Sequence, residues 1–264
     1  MGSKAREGGV LSASNVASIR SQNCTFSNNS AKNIGGVLAL ENIKILAIVH
    51  SQYYSNYTLQ LGGIIYSKHT ELVRIQHSKF AFSRASQKGG CFMLLDAKYI
   101  SVIFCIFLKN NAWIGGAIQV MNFLNFSMLF SSCKLNSAVI AGGILSIESG
   151  RYMQLINSTF SKSYVNVKGG VVSQIRVTKS LTSYCKFYNN TAEYQGGCVY
   201  SEECKLSIIE NSMFIFNFAD DIGGVFSFLE TQFIVTTQCI FTQNSARSSG
   251  GVFVTKYAII LSIL

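Results

Sequence analysis

The chain has no proline and a single tryptophan in 264 residues. Proline cannot donate to a sheet ladder, so its absence suits strands paired on both edges. Charge is scarce too, at 13% of residues, and no run of Lys or Arg occurs despite a net charge of +10. A nucleic-acid surface needs clustered cations. The scattered cations here point away from nucleic acid and leave only a weak attraction to an anionic polymer or cell surface. No apolar stretch approaches the roughly 20 residues of a membrane-crossing helix. The opening Met1-Gly-Ser-Lys-Ala-Arg-Glu lacks the apolar core of a signal peptide. There is no phosphate loop, nucleophile triad or zinc-ligand spacing. The abundance of Asn, Lys, Ile, Phe and Tyr is also what an AT-rich genome encodes, so part of the composition carries no functional message.

What is present is a repeat. A Gly-Gly pair recurs ten times, from Gly8-Gly9 to Gly250-Gly251, at intervals of 27 residues with one of 26. A fixed period of this size marks a solenoid, in which each coil repeats one backbone path. Further columns appear when the coils are aligned. An aromatic column runs through Phe26, Tyr53, Phe80, Phe107, Phe160, Phe187, Phe214 and Phe241, with Cys133 as its exception. Ser or Cys stands two residues before each aromatic. An Asn column (Asn29, Asn56, Asn110, Asn136, Asn190, Asn217, Asn244) follows three residues after it, interrupted by Ser83 and Ser163. Ala follows two residues later. The consensus is [SC]-x-F-x-x-N-x-A-x-x-x-G-G and then a short apolar run.

The columns predict three short strands per coil. The runs after the glycines, such as Val37 to Leu40, are rich in β-branched and aromatic residues and too short for helices. A second strand is expected at Ile45 to Ile48 and Leu72 to Ile75, and the [SC]-x-F segment forms the third. Ser/Cys and Phe, two apart, face the interior together. Asn suits a turn, tolerates the left-handed region and can bond its copy in the next coil. Gly-Gly suits a corner needing positive φ or close backbone approach. The 26-residue interval places its deletion between Ala112 and Gly115, inside a turn. The expected fold is all-β: a right-handed parallel β-helix of about nine coils, one domain over residues 1–264.

Eight cysteines occur, but the columns separate most of them by too many coils for a disulfide. Cys105 and Cys133, in neighbouring coils, are the one marginal pair. The others read as small buried hydrophobes. Six glycosylation sequons occur, at Asn23, Asn28, Asn56, Asn125, Asn157 and Asn189, although an Asn- and Ser-rich repeat generates them by composition. Both termini fall within a coil. That leads to the expectation of a fragment of a longer repeat protein, with any signal, anchor or further coils beyond it.

The [SC]-x-F-x-x-N and G-G-apolar-apolar signatures resemble the repeats of chlamydial polymorphic outer-membrane proteins. They also resemble large β-helix proteins of ciliates and other protists, within the wider pectin-lyase-like superfamily. The chlamydial resemblance implies a surface-exposed adhesin passenger with a membrane barrel beyond it, and no barrel segment lies in this chain. The superfamily resemblance raises a polysaccharide lyase or hydrolase, whose polygalacturonase-type Asn-Thr-Asp and Gly-His-Gly motifs are missing here. Only an Asp-Asp remains.

Candidate chemistry is sparse. Glu193 and Asp220 share a slot in adjacent coils, beside Asp221, and could form a carboxylate pair; Arg247 in the next coil makes a salt-bridge ladder the plainer reading. His50 and His77 share another slot and could bind a metal, against an ordinary surface column. Glu202, Glu203 and Glu230 read as solvated corners, and Trp113 as a cap on the shortened turn. No catalytic, cofactor-binding or metal residue is therefore assigned, and no cofactor. The expected function is a noncatalytic cell-surface or extracellular scaffold or adhesive stalk. Its partner would be a surface protein or glycan, and membrane attachment would come only through flanking regions. The alternatives are a polysaccharide-binding or polysaccharide-cleaving β-helix and an intracellular repeat scaffold.

Overall fold

A computed structural model describes residues 2–264. It is a parallel β-solenoid of about ten turns with three sheets, of 15, 10 and 9 strands. Each strand pairs in parallel with its copy one coil away, as in Phe80 with Tyr53 and Phe107. The 15-stranded sheet holds both the post-glycine strand and the second strand. In five coils these merge into one 12-residue strand, for example Leu38–Val49 and Ile118–Leu129. The two expected strands are thus halves of one sheet, divided by a left-handed residue such as Asn42 or Asn122. The 9-stranded sheet is the [SC]-x-F segment, as in Gln52–Tyr54.

The third sheet corrects the sequence reading. The segment after Asn, expected as a turn, pairs coil to coil over strands such as Ser30–Ile34 and Thr191–Ala192. Asn is not the left-handed residue either. That conformation falls one position earlier, at Asn28, Ser55, Phe82 and Lys109. The deletion, expected in a turn, falls within one of these strands, Asn111–Ile114: Ala112 pairs with Ala138 but Ile114 with Ala141, so the register slips between them and then resumes.

The interior is one continuous core. The aromatic column stacks ring on ring, with centroids 4.9 Å apart for Phe26 and Tyr53, 5.0 Å for Phe80 and Phe107, and 4.7 Å for Phe187 and Phe214. Such stacks add to the area that each ring buries. Tyr53, the one phenol in the column, donates its hydroxyl to Ser21 Oγ at 3.0 Å. That hydroxyl is therefore satisfied in the core. Where Cys133 replaces the ring, the same coil carries buried Phe126 and Met128, and the thiol lies 3.9 Å from Met128 Sδ. Met128 Sδ is thus the side-chain atom that meets the thiol at this position of the column.

The Asn column forms the expected ladder in the interior. Asn190 donates from Nδ2 to Asn217 Oδ1 at 3.0 Å, and Asn217 does the same to Asn244 at 3.0 Å. Each Asn Oδ1 also accepts the backbone N–H of the preceding Asn, and each Nδ2 donates to an aromatic-column carbonyl, as Asn217 does to Phe187 at 3.1 Å. The Ser/Cys column is a second ladder. Ser131 N–H donates to Ser158 Oγ at 3.1 Å, and Ser131 Oγ to the Leu129 carbonyl at 2.9 Å. Cys105 Sγ reaches the equivalent carbonyl of Ile103 at 3.3 Å, which explains why Ser and Cys interchange. The two glycines divide their work. The first is left-handed, with φ between 56° and 72° across the coils. A Cβ on the second would fall on the carbonyl oxygen of the next coil's second glycine, as for Gly143 and Gly170.

Candidate functional site

The ladders fill the interior, so any chemistry must lie on the outer columns. Glu193, Asp220 and Arg247 do stack in one slot, each N–H donating to the coil before. Asp220 pairs within that stack and Glu193 outside it. Arg247 Nη2 lies 3.0 Å from Asp220 Oδ1, and Glu193 accepts the Tyr164 hydroxyl. That bond pushes the Tyr164 phenol up to about 12. Both carboxylates are thus already engaged, one by a guanidinium and one by a phenol. The slot therefore holds one salt bridge, Arg247 with Asp220, where the plainer reading expected a ladder, and Glu193 turns to Tyr164 instead.

His50 and His77 stack at 4.8 Å, and the column continues through Phe104 and Phe130 at 5.0 and 4.9 Å. The imidazoles are thus the end of a surface aromatic stack. Glu203 and Glu230 are exposed, left-handed corner residues, as expected. Glu202 differs: it is half-buried, with Lys168 Nζ at 3.0 Å and the Tyr200 hydroxyl at 2.9 Å. Burial alone would raise its carboxyl, but these bonds and the Lys168 charge hold it below the ordinary carboxylate value. Lys168 also lies 4.2 Å from the Tyr200 ring centroid. Trp113 is exposed on the strand Asn111–Ile114 that carries the deletion, not in a turn.

All eight cysteines are free thiols, including Cys105 and Cys133. Burial pushes the thiols of Cys105 and Cys185 up to about 12, which suits inert packing residues. Of the sequons, Asn56 is buried in the Asn ladder and closed to a glycan, while the other five are exposed.

The sequence reading missed a groove. It lies along the bend of the 15-stranded sheet, measures about 730 Å³ and is lined by Asn42, His69, Asp96 and Asn122 with Lys44, Glu71 and Lys98. Asp96 is held from both sides, by His69 Nδ1 at 3.5 Å and Asn122 Nδ2 at 2.9 Å. Lys98 and Glu71 pair at 3.5 Å on its rim. The signal was available, since His69, Asp96 and Asn122 share one slot of the repeat. Among the described residues, no three His, Cys, Asp or Glu side chains converge where they could hold a metal.

One match to known families connects the geometry to other proteins. The Chlamydia polymorphic membrane protein repeat matches residues 23–41. That stretch runs from the [SC]-x-F strand through the Asn and Ala columns and Gly35-Gly36 into the next strand. This chain is a β-helix repeat protein resembling those repeats. No curated protein and no solved structure matches. In the β-helix the matched stretch is one corner of one coil, and the same columns recur in the coils around it. Among the described residues, no helix is long and apolar enough to cross a membrane.

Proposed function

We propose that this β-helix is a noncatalytic, surface-exposed scaffold or adhesive stalk. The observation carrying that reading is the engagement of its candidate groups. Asp220 is paired with Arg247, Glu193 with Tyr164, Glu202 with Lys168, and His50 and His77 stack into an aromatic column. Catalytic carboxylates need one member free to give or take a proton at a bound substrate. The printed name of the matching repeat, a membrane protein, supports placement at a cell surface or outside it. A second reading rests on the groove beside His69 and Asp96, whose size and polar lining suit a glycan. The test is turnover of a panel of uronate and neutral polysaccharides by the purified chain. No product is expected. Turnover abolished by Asp220→Ala or Asp96→Asn would overturn the scaffold reading in favour of an enzyme. Saturable glycan binding without turnover, lost in Asp96→Asn, would locate an adhesive site in the groove.

A further inference from the structure

The outer face of the 9-stranded sheet differs from the rest of the surface. Take each strand with its two flanking corners, from residues 23–28 in the first coil to 238–243 in the last. No Asp or Glu occurs anywhere in that set, whereas Lys79, Lys109, Lys134, Lys162 and Lys186 do. The ion pairs among the described residues all lie elsewhere, so none of these lysines is neutralised. Two of them lie across rings instead: Lys79 Nζ is 5.5 Å from the Tyr54 centroid, and Lys109 Nζ is 5.6 Å from that of Phe82.

The apolar residues here are also in unusual places. Phe82, Phe104 and Phe130 are about half exposed, and Ile106 lies between them, also exposed. All three phenylalanines have left-handed backbones, with φ of 57°, 52° and 50°. A bulky residue is strained there, whereas Asn is tolerated. Other coils place Asn in the same slots: Asn28 for Phe82, and Asn23 and Asn157 for Phe104 and Phe130. Neither backbone preference nor solubility accounts for exposed Phe at these corners. The coil path holds these corners left-handed whatever the residue, so an exposed Phe in place of Asn adds a local cost that a surface role would offset.

We propose that this face docks flat on an anionic lipid bilayer. The phenylalanine edges and Ile106 enter the headgroup boundary, while the lysines meet the acidic headgroups. Cations beside exposed apolar side chains are the composition that binds such surfaces, and here the Lys79 and Lys109 ammoniums lie beside the Tyr54 and Phe82 rings. An acidic polysaccharide fits less well, because a sugar stacks on ring faces. Here Phe104 is covered on both faces, by His77 at 5.0 Å and Phe130 at 4.9 Å, Phe130 is covered on one, and Lys109 lies over Phe82. The proposal does not depend on the rod being catalytic or not.

The test is co-sedimentation of the purified, unglycosylated chain with vesicles. Phosphatidylcholine containing about 30% phosphatidylserine should bind it at least about tenfold more tightly than phosphatidylcholine alone, and salt should weaken that binding. The triple variant Phe82→Asn, Phe104→Asn, Phe130→Asn should lose about tenfold in binding while unfolding no earlier than wild type, because the strain is relieved. A second variant, Lys79→Gln, Lys109→Asn, Lys134→Ser, uses residues native to those slots and should lose as much. A control, Lys44→Gln, Arg74→Gln, Arg151→Gln, removes equal charge from the 15-stranded sheet and should bind like wild type. The proposal is overturned by absence of vesicle binding, by equal loss in the control, or by binding to a soluble polyuronate in place of vesicles.

Discussion

Phe187 and Cys133 occupy one slot of the repeat but sit in different surroundings, and their substitutions should behave oppositely to a consensus argument. Phe187 is fully buried and stacked on Phe160 and Phe214. Phe187→Ala removes contacts on both sides and should destabilise by about 3–5 kcal/mol in chemical denaturation. A change under about 0.5 kcal/mol would refute the inward column. Restoring the consensus ring with Cys133→Phe should not stabilise. Met128 Sδ already lies 3.9 Å from the buried thiol, so the extra ring overpacks the coil at a cost of about 1–3 kcal/mol. The buried thiols also set an alkaline limit. In the unfolded chain Cys105 and Cys185 ionise near the ordinary 9.0, and in the fold they hold their protons to about 12. Their stabilising contribution is complete below pH 9 and is lost as pH rises from there towards 12, at about 1.4 kcal/mol per pH unit for each group. The denaturation midpoint should therefore fall steadily across that window, and Cys105→Ser with Cys185→Ser should flatten the fall.

At the scale of the element, the Asn ladder turns a turn residue into a structural beam. Asn217 accepts both the backbone and side-chain N–H groups of Asn190 and donates to the Phe187 carbonyl. Asn217→Ala strands those buried groups, each worth about 1–3 kcal/mol when unpaired. A loss above about 2 kcal/mol is expected by denaturation, with Asn217→Ser losing less because Ser83 and Ser163 serve in the same slot. The ladder was legible in the sequence because stacking makes each coil repeat the same side chain. The Gly-Gly corner was legible for the same reason, and both uses foreseen for it, positive φ and close approach, occur on successive glycines. The left-handed corner before Asn was not legible. It is held by Asn28, Ser55, Phe82, Lys109 and Leu135 in turn, so no residue type marks it, and the stacked neighbours impose the conformation. The third sheet was missed because its strands often pair over only two residues, as in Thr191–Ala192 with Phe218–Ala219. A pairing of only two residues gives no alternation to read. The groove at His69 and Asp96 was visible as a shared slot, but its meaning depends on the bend that opens it, which only the coordinates supply.

For the whole molecule, stability should follow from stacking rather than from any single core. Each coil contacts only the coil before and the coil after, through the three sheets. Such a chain behaves as a row of nearest-neighbour units. Excising one complete coil, residues 171–197, would join Gly170 to Cys198 and preserve every column: Phe160 would stack on Phe214, Ser163 would meet Asn217, and Gly170 would meet Gly224. The shortened protein should fold, with the same strand signal per residue in far-UV circular dichroism and a lower denaturation midpoint. Excising half a coil, residues 171–183, should not give a folded protein, because the 15-stranded sheet would lose the whole strand Val172–Ser183 while the aromatic and Asn columns stayed in place. Aggregation of the full-coil deletion, or a fold for the half-coil deletion as stable as wild type, would show that long-range order along the rod outweighs the stacking of adjacent coils.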